Sequence, residues 1–183
     1  VSQRKRGRPA AGAEPLDDDA LLAAGLALLD EGGAGAVTIR GVARRLGVTP
    51  MAVSHRTGGL DGLLARVLAA AHEGFRPPES RAAGPDDVAA AVLAYAEAAT
   101  RHPHAVAALF GRPDLMPPTL AEFTEWLRLR IAEGDPEGAD RGVALLIDYA
   151  HGYLLAASQA EPDGGRRDFE ANLRRLSRWI LGG

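Results

Sequence analysis

Between Thr38 and Arg56 the sequence gathers side chains of the types that grip and read a nucleic acid. Arg44, His55 and Arg56 can donate to phosphate oxygens, contacts that set affinity and register rather than sequence. Arg40 and Thr49 can bond a base edge or a phosphate, and Pro50 and Met51 suit thymine methyl groups. Ahead of them, Arg4, Lys5, Arg6 and Arg8 form a basic arm. Other constellations are weaker. Asp148 and His151 are three positions apart, a spacing at which a carboxylate can orient an imidazole for proton transfer. No serine lies at a recognisable nucleophile elbow, and the same pair suits a core hydrogen bond or a pocket lining. His102 and His104 flank Pro103, which is poor metal-ligand geometry, and no third ligand accompanies them. No catalytic residue, metal or cofactor is expected.

The elements that must position these groups are short helices. Thr38 is a good N-cap, and Ile39, Val42, Ala43 and Leu46 mark one apolar helical face before Gly47. Thr49 caps the next helix, with Pro50 at its first turn and Gly58-Gly59 at its end. Two short helices joined by a tight glycine-containing turn make a helix-turn-helix, whose second helix lies in the major groove. Upstream, a helix over 17–31 carries Leu22, Leu26 and Leu29, with Asp17, Asp18 and Asp19 favouring its positive end. Downstream, a stripe from Leu60 through Leu63, Leu64, Val67, Leu68 and Ala71 to Phe75 predicts a longer helix that Pro77-Pro78 closes.

The remainder reads as helices too. Faces recur at Val88, Val92, Tyr95 and Ala99, and at Leu120, Phe123, Leu127 and Ile131. A long apolar helix is expected over 137–160, and a last one carries Phe169, Leu173, Leu176 and Ile180. No strand pattern or internal repeat occurs, so the fold class is all-α. The expected organisation is a disordered basic arm at 1–15, a helix-turn-helix domain with its linking helix at 16–76, and a helical body at 85–183. The 183 residues contain no cysteine, which removes disulfides, thiol nucleophiles and cysteine-based zinc sites. No apolar run nears the ~20 residues of a membrane span, and no secretory signal pattern is present. The cytoplasm is the expected compartment. The net charge of −3 says little about nucleic acid, unlike the distribution of the charges.

The run Thr38-Ile39-Arg40-Gly41-Val42-Ala43-Arg44-Arg45-Leu46-Gly47-Val48-Thr49-Pro50-Met51-Ala52 resembles the tetracycline-repressor (TetR) family of bacterial regulators. The match is specific over residues 16–52 and fair through Ala71; beyond that, length and helix layout agree. The resemblance implies about nine helices: three in a DNA-binding head, a linking fourth, and a ligand-binding body whose last two helices pair in a dimer as a four-helix bundle. After Met51-Ala52 the family usually shows Leu-Tyr-x-His-Phe and then a lysine. This chain has Val53-Ser54-His55-Arg56-Thr57 and then Leu60. The phosphate-holding Tyr, His and Lys positions are thus Ser54, Arg56 and Leu60, of which Ser54 and Arg56 retain hydrogen-bond donors. In the arm, Arg6-Gly7-Arg8-Pro9 resembles the core of an AT-hook, which lies in a narrow minor groove; a solvated basic tail would read the same way.

For the body, an apolar pocket between helices is expected, with Tyr95, Phe110, Trp126, Asp148, Tyr149, His151 and Tyr153 as lining groups or plain core. Gly152, Ala156 and Ala157 allow close helix approach at a homodimer interface, with Leu173, Leu176 and Ile180 supplying its apolar stripe. The expected function is a regulator, in the commoner case a repressor. It would bind a near-palindromic double-stranded operator as a dimer and be released by a small hydrophobic effector. The alternative is a small-molecule binder or enzyme on a repurposed fold of this type.

Overall fold

The computed structural model describes residues 16–80, 83–157 and 164–182. The arm residues Arg4, Lys5, Arg6 and Arg8 lie outside the described residues. Among those described, the chain is helical throughout: α1 (Asp18–Gly32), α2 (Ile39–Leu46), α3 (Pro50–Thr57), α4 (Leu60–Ala71), α5 (Pro85–Ala99), α6 (Pro103–Gly111), α7 (Pro118–Ala132), α8 (Ala139–Ala157) and α9 (Gly164–Leu181). Short 3-10 turns occupy Ala34–Ala36 and Pro113–Leu115.

Local chemistry starts and stops the head helices where the sequence says it must. Asp17 caps α1, accepting from the backbone N–H groups of Asp19 and Ala20. Thr38 Oγ1 accepts from Gly41 N at 3.0 Å to start α2, and Thr49 Oγ1 accepts from Ala52 N at 3.2 Å to start α3. Gly47 ends α2 at φ 67°, a left-handed conformation in which a β-carbon is strained. Gly62 answers a different need. A β-carbon there would overlap the carbonyl oxygen of Thr57, so α4 leaves α3 at a distance only glycine permits.

Two cores divide the chain. One joins Leu21, Leu28 and Leu29 of α1 to Val42, Val53, Leu63 and Val67 of α2, α3 and α4. The other is built from α5, α7, α8 and α9 around Val92, Phe123, Leu127, Leu146 and Leu173. Helix α6 belongs to both: Ala105 and Ala108 complete the head core, while Val106 joins the body core.

Two expectations need correction. The buried face of α1 is Leu21, Ala24, Gly25, Leu28 and Leu29; Leu22 and Leu26 are only half-buried beside it. The stripe from Leu60 to Phe75 is not one helix. Its first residue is exposed, α4 ends at Ala71, and a turn through Gly74 carries Phe75 into the body core. There Phe75 packs edge-on against Tyr95 and Phe123, a partnership that helical periodicity cannot register. Helix α8 is described over Ala139–Ala157 and starts two residues after the expected 137; the expected end at 160 lies outside the described residues.

Candidate nucleic-acid interface and effector cavity

The outer surface of the two short head helices presents the side chains that the sequence nominates. Met51 projects with 77 % of its surface exposed, next to exposed Pro50 and Thr49 at the start of α3. Arg40 and Arg44 on α2 and His55 on α3 are exposed, and among the described residues no ion pair or side-chain hydrogen bond holds them. Ser54 is half-buried. Thr38 and Thr49 use their hydroxyl oxygens as caps, so each retains an O–H donor for an incoming acceptor. Leu60, where the family pattern has a cation, is an exposed apolar side chain at the first turn of α4.

Arg56 is placed differently. Its guanidinium makes two 2.8 Å bonds to the carboxylate of Asp18, and Arg66 of α4 pairs with the same carboxylate at 2.8 Å. The hydrogen bonds from Arg56 and then Arg66 hold the Asp18 carboxyl below its usual range. One acidic side chain at the N-terminus of α1 thereby ties down the last turn of α3 and the side of α4. The acidic cluster expected to cap α1 is divided in its work: Asp17 caps, and Asp18 clamps.

In the body, a cavity of about 250 Å³ opens between α5, α6, α7 and α8. Helix α6 contributes Val106, Leu109 and Phe110, and α7 contributes Leu120, Phe123 and Thr124. Ile147 and His151 of α8, Tyr95 of α5, and Pro113 and Met116 from the connection complete the wall. The Tyr95 hydroxyl and His151 Nε2 are 2.8 Å apart. Burial raises the Tyr95 phenol to about 12. Burial also lowers the His151 imidazole, against a smaller opposing effect of Asp148.

Of the body residues nominated from sequence, Tyr95, Phe110 and His151 lie on this wall and four do not. Asp148 faces outward and is exposed, so the partner of His151 is Tyr95, not the carboxylate one helical turn before it. The Trp126 indole N–H donates to the Ser80 carbonyl at 2.8 Å on the far side of α7. Tyr149 and Tyr153 both stack on Phe169, where they pack α8 against α9. Apolar periodicity cannot distinguish a core from a cavity, so it does not single out the wall residues on α7, and Pro113 and Met116 lie in a connection that has no periodicity.

The small residues Gly152 and Ala156 face outward on α8, as an interface requires, together with exposed Leu145 and Leu155. The side chain of Ala157 lies outside the described residues. Leu173 corrects the expected interface stripe: it is fully buried within the protomer because α9 lays that face on α5 and α8. Leu176 and Ile180 are half-buried against the same core. The exposed apolar residue of α9 is Trp179, at 69 %.

No protein-family model and no curated protein matches the chain. Solved structures match it over nearly its whole length. BioQ, in a crystal structure with its double-stranded DNA operator, shares 24% identity, with 92% of this chain and 99% of that chain covered and a TM-score of 0.70. A TetR variant from Acinetobacter baumannii AYE, in complex with minocycline, shares 24% identity over 90% of this chain and 96% of that chain, TM-score 0.68. SCO7222, a TetR transcriptional regulator from Streptomyces coelicolor, shares 22% identity over 92% and 99%, TM-score 0.67. From the helix-turn-helix head to the last helix, the chain has the fold of the TetR transcriptional regulators.

Proposed function

We propose that this protein is a ligand-responsive transcriptional regulator of the TetR type, acting in the cytoplasm as a homodimeric repressor. Residues 16–76 form its DNA-binding domain and 85–183 its effector and dimerisation domain. Two heads engage a near-palindromic operator at half-sites roughly 34–36 Å apart. Arg40, Arg44 and His55 meet phosphates or base edges, and Thr49, Pro50 and Met51 meet the floor of the major groove. Binding is its role; no reaction step is assigned.

The observation that carries this reading is the double allegiance of α6. One face of this helix completes the head core through Ala105 and Ala108, and the other lines the cavity through Val106 and Phe110. Further ties cross the same joint. His102 Nδ1 lies 2.9 Å from Asp30 of α1, and Arg112 pairs with Asp61 of α4 at 3.1 Å. A molecule that fills the cavity presses on α6 and so on the two helices that set the head angle. It acts as an effector only to the extent that it binds the two head arrangements unequally.

The test is operator affinity at two salt concentrations, with promoter and random-sequence DNA. Specific, salt-dependent binding is expected. Arg40→Ala and Arg44→Ala should each lower the slope of log affinity against log salt by about one unit wherever the side chain meets a phosphate. Absence of salt-dependent binding to either DNA would overturn the proposal and leave a small-molecule binder on a repressor fold.

A further inference from the structure

Resting on the reading of the body cavity as the effector site, we propose that its effector is an uncharged, ring-sized molecule with one carbonyl or hydroxyl oxygen, which accepts a hydrogen bond from the Tyr95–His151 pair. Carboxylates, phosphates and ammonium compounds are excluded from it.

The wall makes the first half of the argument. Among the described residues, its polar side chains are Tyr95, Thr124 and His151, and no carboxylate, guanidinium or ammonium group lines it. The Thr124 hydroxyl already donates to the Leu120 carbonyl at 2.9 Å. Burial favours the neutral phenol of Tyr95 and the neutral imidazole of His151. The nearest carboxylate on α8, Asp148, is turned to solvent. A charged ligand group entering the wall would give up water for no opposite charge, which is strongly unfavourable.

Proton counting makes the second half. A neutral tyrosine and a neutral histidine carry two donor protons between them, one O–H and one N–H. Their 2.8 Å contact uses one of these. If Tyr95 donates to Nε2, the ring proton is on Nδ1, and that buried nitrogen has no hydrogen-bond partner among the described residues. If His151 donates from Nε2, the phenol O–H is left over instead. In either tautomer the pair holds one unused donor; Nδ1 has almost no accessible surface, so a ligand oxygen satisfies it there only as the cavity wall shifts to admit it. The rest of the wall is apolar, and Phe110, 61 % exposed, and Met116, 43 % exposed, stand where an apolar ring would cover them. An apolar cavity of ~150 Å³ holds a benzene ring, so a cavity of about 250 Å³ has room for a fused bicycle.

Three probes of one shape separate these terms: naphthalene, 2-acetylnaphthalene and 2-naphthoate, titrated calorimetrically against the free full-length protein at neutral pH. The ketone should bind about five-fold tighter than naphthalene, the gain of one net hydrogen bond. It should bind at least about 100-fold tighter than the carboxylate. The Tyr95→Phe/His151→Phe double variant, which removes both donors of the pair, should abolish the advantage of the ketone over naphthalene. A carboxylate that binds within about three-fold of the ketone, a ketone advantage that survives the double variant, or no binding of any probe at millimolar concentration would each overturn the proposal. Because no DNA is present, these outcomes are independent of whether the head binds an operator, which the salt titrations decide.

Discussion

His72 and His151 lie on either side of Tyr95, one stacked on its ring at 6.4 Å between centroids and the other bonded to its hydroxyl. His72 is buried at the end of α4, with Nδ1 2.8 Å from the Leu68 carbonyl and Nε2 without a partner among the described residues. Burial lowers the pKa of both imidazoles below the ordinary histidine value. The unfolded chain therefore takes up protons near pH ~6.5 while the folded chain does not, and stability falls as pH drops from there towards the folded values. Above that window these groups contribute no pH dependence. The carboxylates of Asp18, Asp114 and Glu125, held low by arginines, lose their contribution only in more acid solution. The melting temperature should fall between about pH 6.5 and about pH 5.5, and His72→Phe should flatten that slope. An unchanged slope in that variant would assign the effect elsewhere. None of this is legible in the sequence, where His72 is one residue in an alanine-rich stretch and Tyr95 stands far from it along the chain.

At the scale of elements, the head is set by caps, turns and one close approach. Thr49→Ala removes the α3 cap and should cost about 1 kcal/mol in chemical denaturation. Gly62→Ala is the sharper test of geometry. The new methyl meets the Thr57 carbonyl, so α3 and α4 must separate, at a cost of about 2 kcal/mol. Operator affinity should fall with it, because Thr57 ends the helix that carries Met51 and His55. If stability fell while affinity held, the α3–α4 spacing would not govern recognition. Caps and glycine stops were readable because they act within four residues of chain. The clamp of Arg56 and Arg66 by Asp18 was not, since its partners lie on three helices.

The whole molecule is two cores sharing α6, with the exposed residues Leu145, Gly152, Leu155 and Ala156 along the outside of α8. Isolated exposed leucines are ordinary, but a row that includes glycine and alanine on a long helix suits packing against another helix. Leu145→Glu with Leu155→Glu should convert a dimer to monomers in sedimentation velocity while leaving helix content unchanged. Persistence of the dimer would move the interface to another face. Loss of the dimer should also weaken operator binding, because a single head engages one half-site.

What the sequence determined by itself was periodicity and punctuation. From Thr38 to Ala52, hydroxyl caps, an apolar face and one glycine turn dictate two short helices with their polar side outward, because each of those effects is local. The all-helical class followed from the same kind of signal across the chain. The tertiary structure decided which apolar faces enclose space and which fill it. Tyr95, Phe110 and His151 came to line a cavity, Tyr149 and Tyr153 came to pack on Phe169, and Leu173 went inside. Helical spacing gives each of these residues the same reading. Only the approach of a distant helix makes one a wall and another a core contact.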